Sequence, residues 1–382
     1  MEQEDETREI CAEKLKRHLD DLGEDAVCFS FSDLEGPITI ITDPNEDQTF
    51  YVNHHPLSSL GLSYPVKTIY MSSLTELDRL GPDVDLVSYQ AGARGGTATA
   101  AFKYWWLQNG MFRTWYELNY WVQLPRHPHI VPFDAVVLDD VRGGIVGFTT
   151  RFVPGSTLKD TARTRTIRLK WLRQLLEVVD TLNYEYGLMH QDIATWNIVI
   201  DPQTDSLQIF DFSRTFTMPH SNDPRLDDVE GVVHTLYDII TLSEKIHRHR
   251  DYGQDHEDIM KKEWTKHPDV SLDSSVQAFK NVLGEWMAGR KNKPFTPRST
   301  WIEWKDMSEH PVVPRLVRKA GKETTEVRME SSPVITRRHY IEMSEPFYEW
   351  RRPASYKLRQ VLERDQGEPS SAEPEENRMR LV

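Results

Sequence analysis

The octapeptide HQDIATWN at 190–197 constrains this 382-residue chain more than any other feature. Its polar residues at fixed offsets are His190, Asp192 and Asn197. The preceding stretch, 167–186 (IRLKWLRQLLEVVDTLNYEY), has apolar residues at i, i+3, i+4 and i+7, which predicts a buried amphipathic helix. Two short apolar runs follow, NIVID and LQIFDF, and the second ends at Asp211. We therefore expect a polar loop between a long helix and a pair of strands, with an acidic residue at the far end of the pair.

These side chains suit phosphoryl transfer from ATP, which needs neutralised phosphate charge and an oriented acceptor hydroxyl. Asp192 can accept the proton of the hydroxyl or orient the acceptor. Asp211 can chelate Mg²⁺ between the phosphates, and the amide oxygen of Asn197 can complete the metal shell without adding charge, because Mg²⁺ prefers oxygen ligands. We expect His190 to pack and to hydrogen-bond the loop.

The pattern HxDxxxxN, followed by a strand and DF, resembles the catalytic loop and metal motif of protein kinases. Other segments resemble the same family in the same order. Lys103 in AFK is similar to the β3 lysine, and Glu117 is similar to its ion-pair partner on helix C, which runs on into a His-Pro-x-Ile-Val turn. GFTTRFVPGSTL at 147–158 is similar to the hinge, and Asp228 to the helix F carboxylate that steadies the catalytic loop, with Asp227 as an alternative.

The resemblance implies a set of site residues. Those with catalytic roles are Asp192, Lys103 and Glu117, and those that hold the metal are Asn197 and Asp211. Those that line the nucleotide site are Gly81, Val87, Ala101, Lys103, Thr150, Arg151, Val153 and Asn197. The implied cofactors are ATP and Mg²⁺, and the acceptor is an unknown protein or small molecule.

The sequence departs from the family in the loop that should cover the phosphates. LGPDVDLV at 80–87 keeps only Gly81, and Asp83 stands where a second glycine is expected. AGARGG at 91–96 also contains glycines, but it lies too close to Lys103 to leave room for the strand, turn and strand that a phosphate-covering loop requires. We interpret it as the turn between the second and third strands of the N-lobe. Gln191 replaces the arginine of H-R-D, so activation through that arginine is not expected, and Ser213 replaces the glycine of D-F-G.

The segment after Asp211 is also unusual. It reaches Asp228 in 17 positions, short for the family, and contains no A-P-E motif. That segment normally forms the platform for a peptide substrate. Three functions stay open: an atypical kinase acting on Ser or Thr of a protein, a phosphotransferase acting on a small molecule, and a nucleotide-binding pseudokinase or scaffold.

The predicted architecture is α+β, with the bilobal arrangement of protein kinases: a β-rich N-lobe and a helical C-lobe. We assign 1–74 to an N-terminal extension, 75–291 to the kinase-like domain, 292–364 to a C-terminal extension and 365–382 to a disordered tail.

A short helix is predicted at 9–22, where apolar and charged residues alternate at helical spacing. Four β-like runs are predicted in the N-lobe: DLVSYQ, TATAAFKYW, DAVVLDD and GIVGFTTRFV. A turn is predicted at Pro202–Asp205, between NIVID and LQIFDF. In the C-lobe, further helices are predicted over three ranges. These ranges are about 226–247, 256–266 and 272–288.

The composition limits the classes of partner. A formal net charge of −14 disfavours a nucleic-acid binder, which needs clustered Lys and Arg. The two cysteines do not support a disulfide framework or a zinc cluster. No signal peptide and no run of about 18 apolar residues is present, so we expect no membrane partner and a cytoplasmic or nuclear location.

Overall fold

The computed structural model describes most of the chain between residues 25 and 347. The described ranges are 25–30, 37–47, 49–92, 96–105, 108–217, 228–243, 255–291, 298–302, 309–318 and 325–347, with a few isolated positions. The helix predicted at 9–22 and the tail predicted at 365–382 lie outside the described ranges.

Strands dominate the first part of the described chain and helices the second. The strands are β1 (Cys28–Ser30), β2 (Thr39–Ile41), β3 (Phe50–Val52), β4 (Thr68–Tyr70), β5 (Thr75–Gly81), β6 (Val84–Ala91), β7 (Gly96–Tyr104), β8 (Phe133–Leu138), β9 (Ile145–Arg151), β10 (Thr166–Ile167), β11 (Leu188–Met189), β12 (Ile198–Asp201), β13 (Ser206–Ile209), β14 (Phe216–Thr217), β15 (Ser271–Leu272), β16 (Val312–Arg318), β17 (Thr325–Ser331) and β18 (Val334–Thr336). The helices are α1 (Gln108–Gln123), α2 (Leu158–Thr161), α3 (Leu169–Asp180), α4 (Asp228–Thr241), α5 (His256–Lys261), α6 (Val276–Arg290) and α7 (Arg337–Glu342). The prediction of an α+β protein is confirmed.

A six-stranded sheet with the order β4-β8-β9-β7-β6-β5 forms the centre of the strand-rich part. All neighbours are antiparallel except β4 and β8, which are parallel. The four β-like runs predicted between residues 85 and 153 correspond to β6, β7, β8 and β9. The turn predicted at 91–96 does join β6 to β7.

The two faces of this sheet have different neighbours, because successive side chains of a strand point to opposite faces. Phe102 and Tyr104 of β7 pack with Val87 and Tyr89 of β6 in an outer apolar cluster. Lys103 projects from the other face, opposite Phe148 of β9. On that inner side lies α1, where Trp121 approaches Phe148 with a ring-centroid distance of 6.4 Å.

The segment after α1 connects the sheet to the helical part. His129 and Val131 form backbone hydrogen bonds with Ile209 of β13, at 3.0 Å for each of the two N–H···O contacts. The predicted His-Pro-x-Ile-Val turn therefore serves as an extra edge beside β13. This contact places the end of α1 next to the strand that leads to Asp211.

The helical part begins as predicted. The helix expected at 167–186 is α3 followed by a π-helical turn, Thr181–Glu185, so helical structure runs from residue 169 to 185. The two predicted strands are β12 and β13, which pair across the predicted turn. Asp205 of that turn has a φ of 50°.

The later helices differ from the predicted ranges, for identifiable reasons. In α5 the helix ends at residue 261, because the indole N–H of Trp264 donates to the carbonyl of Ile259 at 2.9 Å. In α6 the helix begins only after Ser275, whose hydroxyl caps the backbone N–H of Ala278 at 3.1 Å. Such caps satisfy groups that a longer helix would have bonded internally. The ends predicted at 226–227 and 244–247 lie outside the described residues.

Segments near the two ends of the described chain pack together. β3 pairs antiparallel with β18, and the hydroxyl of Tyr340 in α7 donates to the side chain of Asn53 at 2.7 Å. The guanidinium of Arg142, in the turn between β8 and β9, lies 4.6 Å from the centre of the Tyr340 ring. The two terminal segments thus form one small unit beside the six-stranded sheet. Among the described residues, no helix is long and apolar enough to cross a membrane.

A close backbone approach between β7 and β9 yields a testable prediction. A Cβ atom at Gly147 would lie 2.2 Å from the carbonyl oxygen of Lys103, so the strands must separate to admit it. We expect Gly147→Ala to lower the free energy of unfolding by about 1–3 kcal/mol, the usual cost of overpacking. Chemical denaturation measures this change.

The matched control is Gly284→Ala in α6. A Cβ there meets only the terminal methyl of Met260, at 3.9 Å, and alanine is the better helix former. This variant should be more stable by about 0.5–1 kcal/mol. Equal effects of the two substitutions would contradict the close approach.

Candidate functional site

Three charged side chains from three separate elements meet at one point. The ammonium of Lys103, in β7, lies 2.7 Å from Oε2 of Glu117 and 2.8 Å from Oδ1 of Asp211. Glu117 is only 1% exposed, in the middle of α1, while Asp211 follows β13. The structure therefore brings together the three residues that sequence reasoning placed at the centre of the site.

Glu117 also connects α1 to the backbone after Asp211. Its Oε1 accepts the backbone N–H of Phe212 at 3.2 Å and the indole N–H of Trp121 at 3.3 Å. The Phe212 ring is fully buried between Trp121, with ring centroids 4.8 Å apart, and His190, at 4.9 Å. A shift of α1 would break these contacts together with the ion pair.

Burial and charge act in opposite directions on this cluster. Burial raises the pKa of Glu117 to about 7, although the Lys103 ammonium opposes that rise. Burial would also raise the pKa of Asp211, but Lys103 and hydrogen bonds from Ser213 outweigh it and lower that pKa to about 2. Burial disfavours the Lys103 cation, yet the two carboxylates raise the pKa of Lys103 above its ordinary value. The cation is thus held by two carboxylates that bind protons with different affinities.

The loop at 190–197 presents Asp192 through internal hydrogen bonds. The side-chain amide of Asn197 donates to the backbone oxygen of Asp192 and to its Oδ2, both at 2.9 Å. The indole N–H of Trp196 lies 3.5 Å from the same Oδ2. The carbonyl of Asn197 accepts the backbone N–H of Phe210 at 3.1 Å, which joins this loop to the segment that carries Asp211.

His190 has the packing role predicted for it. Its Nε2 lies 3.1 Å from the carbonyl oxygen of Phe210, and the residue is fully buried. With the ring of Phe212 beside it, the imidazole fills the space between the loop and the strand end. Nothing in this arrangement requires the imidazole to take part in chemistry.

Asp228, at the start of α4, holds the loop through hydrogen bonds to its backbone. Its carboxylate is 1% exposed and accepts the backbone N–H groups of His190 and Gln191, at 2.9 and 2.8 Å. A third donor is the side-chain amide of Asn183, at 2.8 Å. The geometry matches the steadying role expected of Asp228, and the alternative, Asp227, lies outside the described residues.

Two residues of the site have backbone conformations that L-residues rarely adopt. Gln191 has a φ of 63° and Asp211 a φ of 67°. A non-glycine residue in this region costs on the order of 1 kcal/mol and persists where its surroundings hold it. The bond to Asp228 holds Gln191. The backbone N–H of Ser213, which donates to Oδ1 of Asp211 at 3.2 Å, holds Asp211.

The residues expected to line a nucleotide only partly share one face. Ala101 and Lys103 lie on the same face of β7, and Thr150 of β9 is directly opposite Ala101. Val87 is not brought to this face: it is directly opposite Ala100 and lies buried in the outer cluster. Leu86, the residue before Val87, is directly opposite Ala101, so its side chain lies on the Lys103 face. The one-residue difference arises from the register between β6 and β7.

The predicted phosphate-covering loop is a short turn. Gly81 is the last residue of β5 and pairs with Val84, so only Pro82 and Asp83 join the two strands. The backbone N–H of Tyr104 donates to the carbonyl of Asp83 at 3.1 Å, which folds the turn onto the end of β7. The structure therefore places Gly81 in a strand end and not in an open glycine-rich loop.

The predicted hinge residues differ in their exposure and bonding. Val153 is buried, just beyond the end of β9. The guanidinium of Arg151 forms an ion pair with Asp201 at 2.9 Å and a hydrogen bond with Gln208 at 3.1 Å. Its backbone N–H donates to the carbonyl of Pro132 at 2.9 Å, so this N–H is already bonded within the protein.

The oxygen atoms available to a cation are few. Within the described part of the chain, no three His, Cys, Asp or Glu side chains come together as a metal site. The Asp211 carboxylate and the Asn197 amide oxygen are a carboxylate and a neutral oxygen ligand, which suit Mg²⁺ when phosphates and water supply the remaining ligands. The donor set fits that cation and offers no sulfur or imidazole ligand.

Two residues that organise this site have no recognisable motif. Asn183 and Arg290 are 107 positions apart in sequence and share a hydrogen bond. The only available signal is that Asn183 is a polar residue at an apolar position of the amphipathic stretch 167–186, four residues after Val179. Its partner at the end of α6 cannot be read from any local pattern.

The buried charge cluster predicts an unusual pH dependence. Lys103→Met would leave Glu117 and Asp211 as close carboxylates without their cation, which should lower the free energy of unfolding by about 3 kcal/mol or more at pH 7.5. In the native protein, the ionised Asp211 carboxylate contributes to the free energy of unfolding fully above pH 3.8, and this contribution is lost only as the pH falls towards 2. Without Lys103 the folded state would instead favour protonated carboxylates, so the deficit relative to the native protein should shrink at pH 5. Urea denaturation at both pH values measures it.

Lys67→Met is the matched control, because Lys67 pairs with Asp134 at 2.7 Å but is 46% exposed. We expect a loss below about 1 kcal/mol. A deficit for Lys103→Met that is the same at both pH values, or no larger than the deficit of this control, would contradict the buried cluster.

Neither a protein-family model nor a curated protein sequence matches this chain. Its function is therefore inferred from the geometry of these side chains and from the resemblance of their motifs.

Proposed function

We propose that this chain is an ATP-dependent phosphotransferase of the protein-kinase-like class, which transfers the γ-phosphate to a hydroxyl group. The acceptor we favour is a Ser or Thr of a protein. The observation that carries this proposal is the position of Lys103, paired at once with Glu117 and Asp211, beside a loop that presents Asp192 and Asn197.

Each residue has a distinct proposed role. Lys103, held in place by Glu117, contacts the phosphates of the nucleotide. Asp211 and Asn197 hold the magnesium ion, and Asp192 orients the acceptor hydroxyl and accepts its proton. ATP with Mg²⁺ supplies the phosphoryl group and most of the charge neutralisation. The protein's contribution is to fix charges in advance, which is the main source of catalysis in this reaction class.

The order of the elements supports a bilobal kinase-like arrangement. An antiparallel sheet carries the lysine, the following helix carries its glutamate, and helices and two short hairpin strands carry the loop and Asp211. Clefts between two such parts commonly hold nucleotides. Ala101, Leu86 and Thr150 would face the adenine from the sheet, with the carbonyl of Arg151 and the backbone of Val153 at its edge.

A cavity of about 240 Å³ next to the loop offers room for an acceptor. Trp196 and Thr195 form one wall, and the indole of Trp196 lies beside Asp192. Leu158 and Ile239 contribute an apolar surface, while Lys159 and Arg163 bring positive charge and Asp160 and Asp238 negative charge. This volume holds one side chain or a small molecule, so an acceptor screen needs peptides and small hydroxyl compounds alike.

A second candidate function, a nucleotide-binding pseudokinase, is favoured by one observation. The turn of Pro82 and Asp83 offers no glycine-rich backbone to enclose the phosphates, and it adds a carboxylate near them. Such a protein would bind nucleotide weakly and act through its partners. The test below separates the two functions, because only the first requires transfer.

Two carboxylate variants test the roles of the loop and the metal. Asp192→Ala should reduce phosphate transfer by about 10²–10⁴-fold, the usual contribution of a positioned base, and leave ATP affinity nearly unchanged. Asp211→Ala should weaken binding of ATP in the presence of Mg²⁺ and have little effect in its absence. Calorimetric titration with ATP, with and without Mg²⁺, together with transfer assays on peptides and small hydroxyl compounds, measures both.

Asp258→Ala, on the exposed side of α5, is the control. It should behave like the native protein in both assays. Wild-type transfer by both site variants would rule out the assignment of the site. Mg²⁺-dependent binding with no transfer to any acceptor would favour the pseudokinase, and no binding at millimolar ATP would exclude both functions.

A further inference from the structure

We propose that Asn183, oriented by Arg290 at the end of α6, is a positioning residue that holds the loop at 190–197 in its functional conformation. As a statement about catalysis, this inference rests on the proposed function. As a statement about the loop, it rests on a chain of contacts between α6 and the backbone of Gln191.

The first contact is between the two side chains themselves. Nη2 of Arg290 donates to Oδ1 of Asn183 at 2.6 Å, and Nη1 forms an ion pair with Asp180. The guanidinium is also flanked by two rings, with the centroid of Tyr184 at 4.8 Å and that of Trp286 at 4.7 Å. The planar group therefore has a fixed position and uses its two ends for different partners.

That contact determines which way the Asn183 amide points. Its Nδ2 donates to the carbonyl of Leu188 at 2.7 Å and to Oδ2 of Asp228 at 2.8 Å. Both partners are pure acceptors, so a rotated amide would place its oxygen against them and its NH₂ group against the Arg290 cation. Only the observed orientation of the amide satisfies its three partners, namely the Leu188 carbonyl, the Asp228 carboxylate and the Arg290 guanidinium. Asn183 is fully buried, so water cannot replace a lost bond.

The Asn183 amide transmits the effect of the Arg290 cation to the Asp228 carboxylate. Asp228 is buried, and its carboxylate accepts hydrogen bonds from the Asn183 amide and from the backbone N–H groups of His190 and Gln191. A hydrogen bond from a guanidinium to the amide oxygen polarises the amide and strengthens the bond that its NH₂ group donates. Asp228 in turn holds Gln191 at a φ of 63°, which this residue would otherwise avoid.

A π-helical turn places Asn183 at this point. The backbone N–H of Tyr186 donates to the carbonyl of Thr181 at 3.1 Å, five residues earlier. Such wide turns interrupt the regular helical bonding and are frequently found at functional sites. Here the turn lies between α3 and β11, directly before the loop.

The same turn provides a matched control. Arg298 forms an ion pair with Glu185 on the exposed side, where both side chains are nearly half exposed. Arg298→Met therefore removes an arginine that pairs with the same turn, without touching Asn183. We expect its effect on the loop to be negligible.

Hydrogen exchange of the full-length protein tests the positional claim without any assay of activity. In Arg290→Met, a peptide covering residues 188–194, which contains the amides bonded to Asp228, should exchange about tenfold faster than in the native protein. Peptides from β8 and β9 should be unchanged. Equal exchange of the 188–194 peptide in Arg290→Met and Arg298→Met would overturn the proposal.

Asn183→Ser is the second variant, because it leaves the pair between Arg290 and Asp180 in place and is expected to fold even if Arg290→Met does not. It should also accelerate exchange at 188–194, and normal exchange in folded Asn183→Ser would likewise overturn the proposal. In transfer assays both variants should lower kcat by about tenfold with an unchanged KM for ATP, whereas general destabilisation would leave kcat per folded molecule intact. Faster exchange in a protein with no transfer activity would separate failure of the proposed function from failure of this inference.

Discussion

The ion pairs of Lys103 are the interaction on which the arrangement of this protein depends. A buried ammonium is costly unless it is paired, and its two partners come from α1 and from the segment after β13. β7 and α1 are neighbours in sequence, but Asp211 lies 108 positions after Lys103, so the position of its segment relative to β7 and α1 is determined where these charges meet. The backbone bond from Phe212 to Glu117 and the contacts between His129 and Ile209 reinforce the same junction. Movement of α1 by one helical turn would leave the buried Glu117 carboxylate unpaired and Lys103 with Asp211 as its remaining carboxylate partner.

A second constraint acts on the loop itself. The unusual backbone at Gln191 persists because a buried carboxylate, that of Asp228, accepts the N–H groups of His190 and of Gln191 itself. That carboxylate lies at the start of a helix, where the helix dipole also favours a negative charge. The loop is therefore held by contacts with the helical part in addition to its internal hydrogen bonds between Asn197 and Asp192. The site combines a charge cluster near the sheet with this second cluster near the helices.

Much of this arrangement could be predicted from the sequence. The alternating strands, the long helix after residue 167 and the positions of Lys103, Glu117, Asp211 and Asp228 depend on local patterns or on fixed spacings, and the structure brings these charges together. The sequence could not show that Leu86, and not Val87, lies on the Lys103 face. The register of a strand is set by contacts with its neighbouring strands, and a slip by one residue moves every side chain to the other face. The ends of α5 and α6 depend on Trp264 and Ser275, whose capping bonds compete with helix extension. The hydrogen bond between Arg290 and Asn183 could not be predicted, because a contact between residues 107 positions apart leaves no local pattern in the sequence.

The pairing of β3 with β18 has a consequence for the order in which the chain acquires its structure. Asn53 binds the backbone of Ser332, 279 residues later, so β3 cannot pair with β18 until residues 334–336 have left the ribosome. The central sheet and the helices can form earlier from contacts that are closer in sequence, since local contacts form faster than distant ones. The unit made by the two terminal segments is thus the last to assemble during synthesis, and a nascent chain arrested before residue 334 would expose the edge of β3 and the ring of Tyr51.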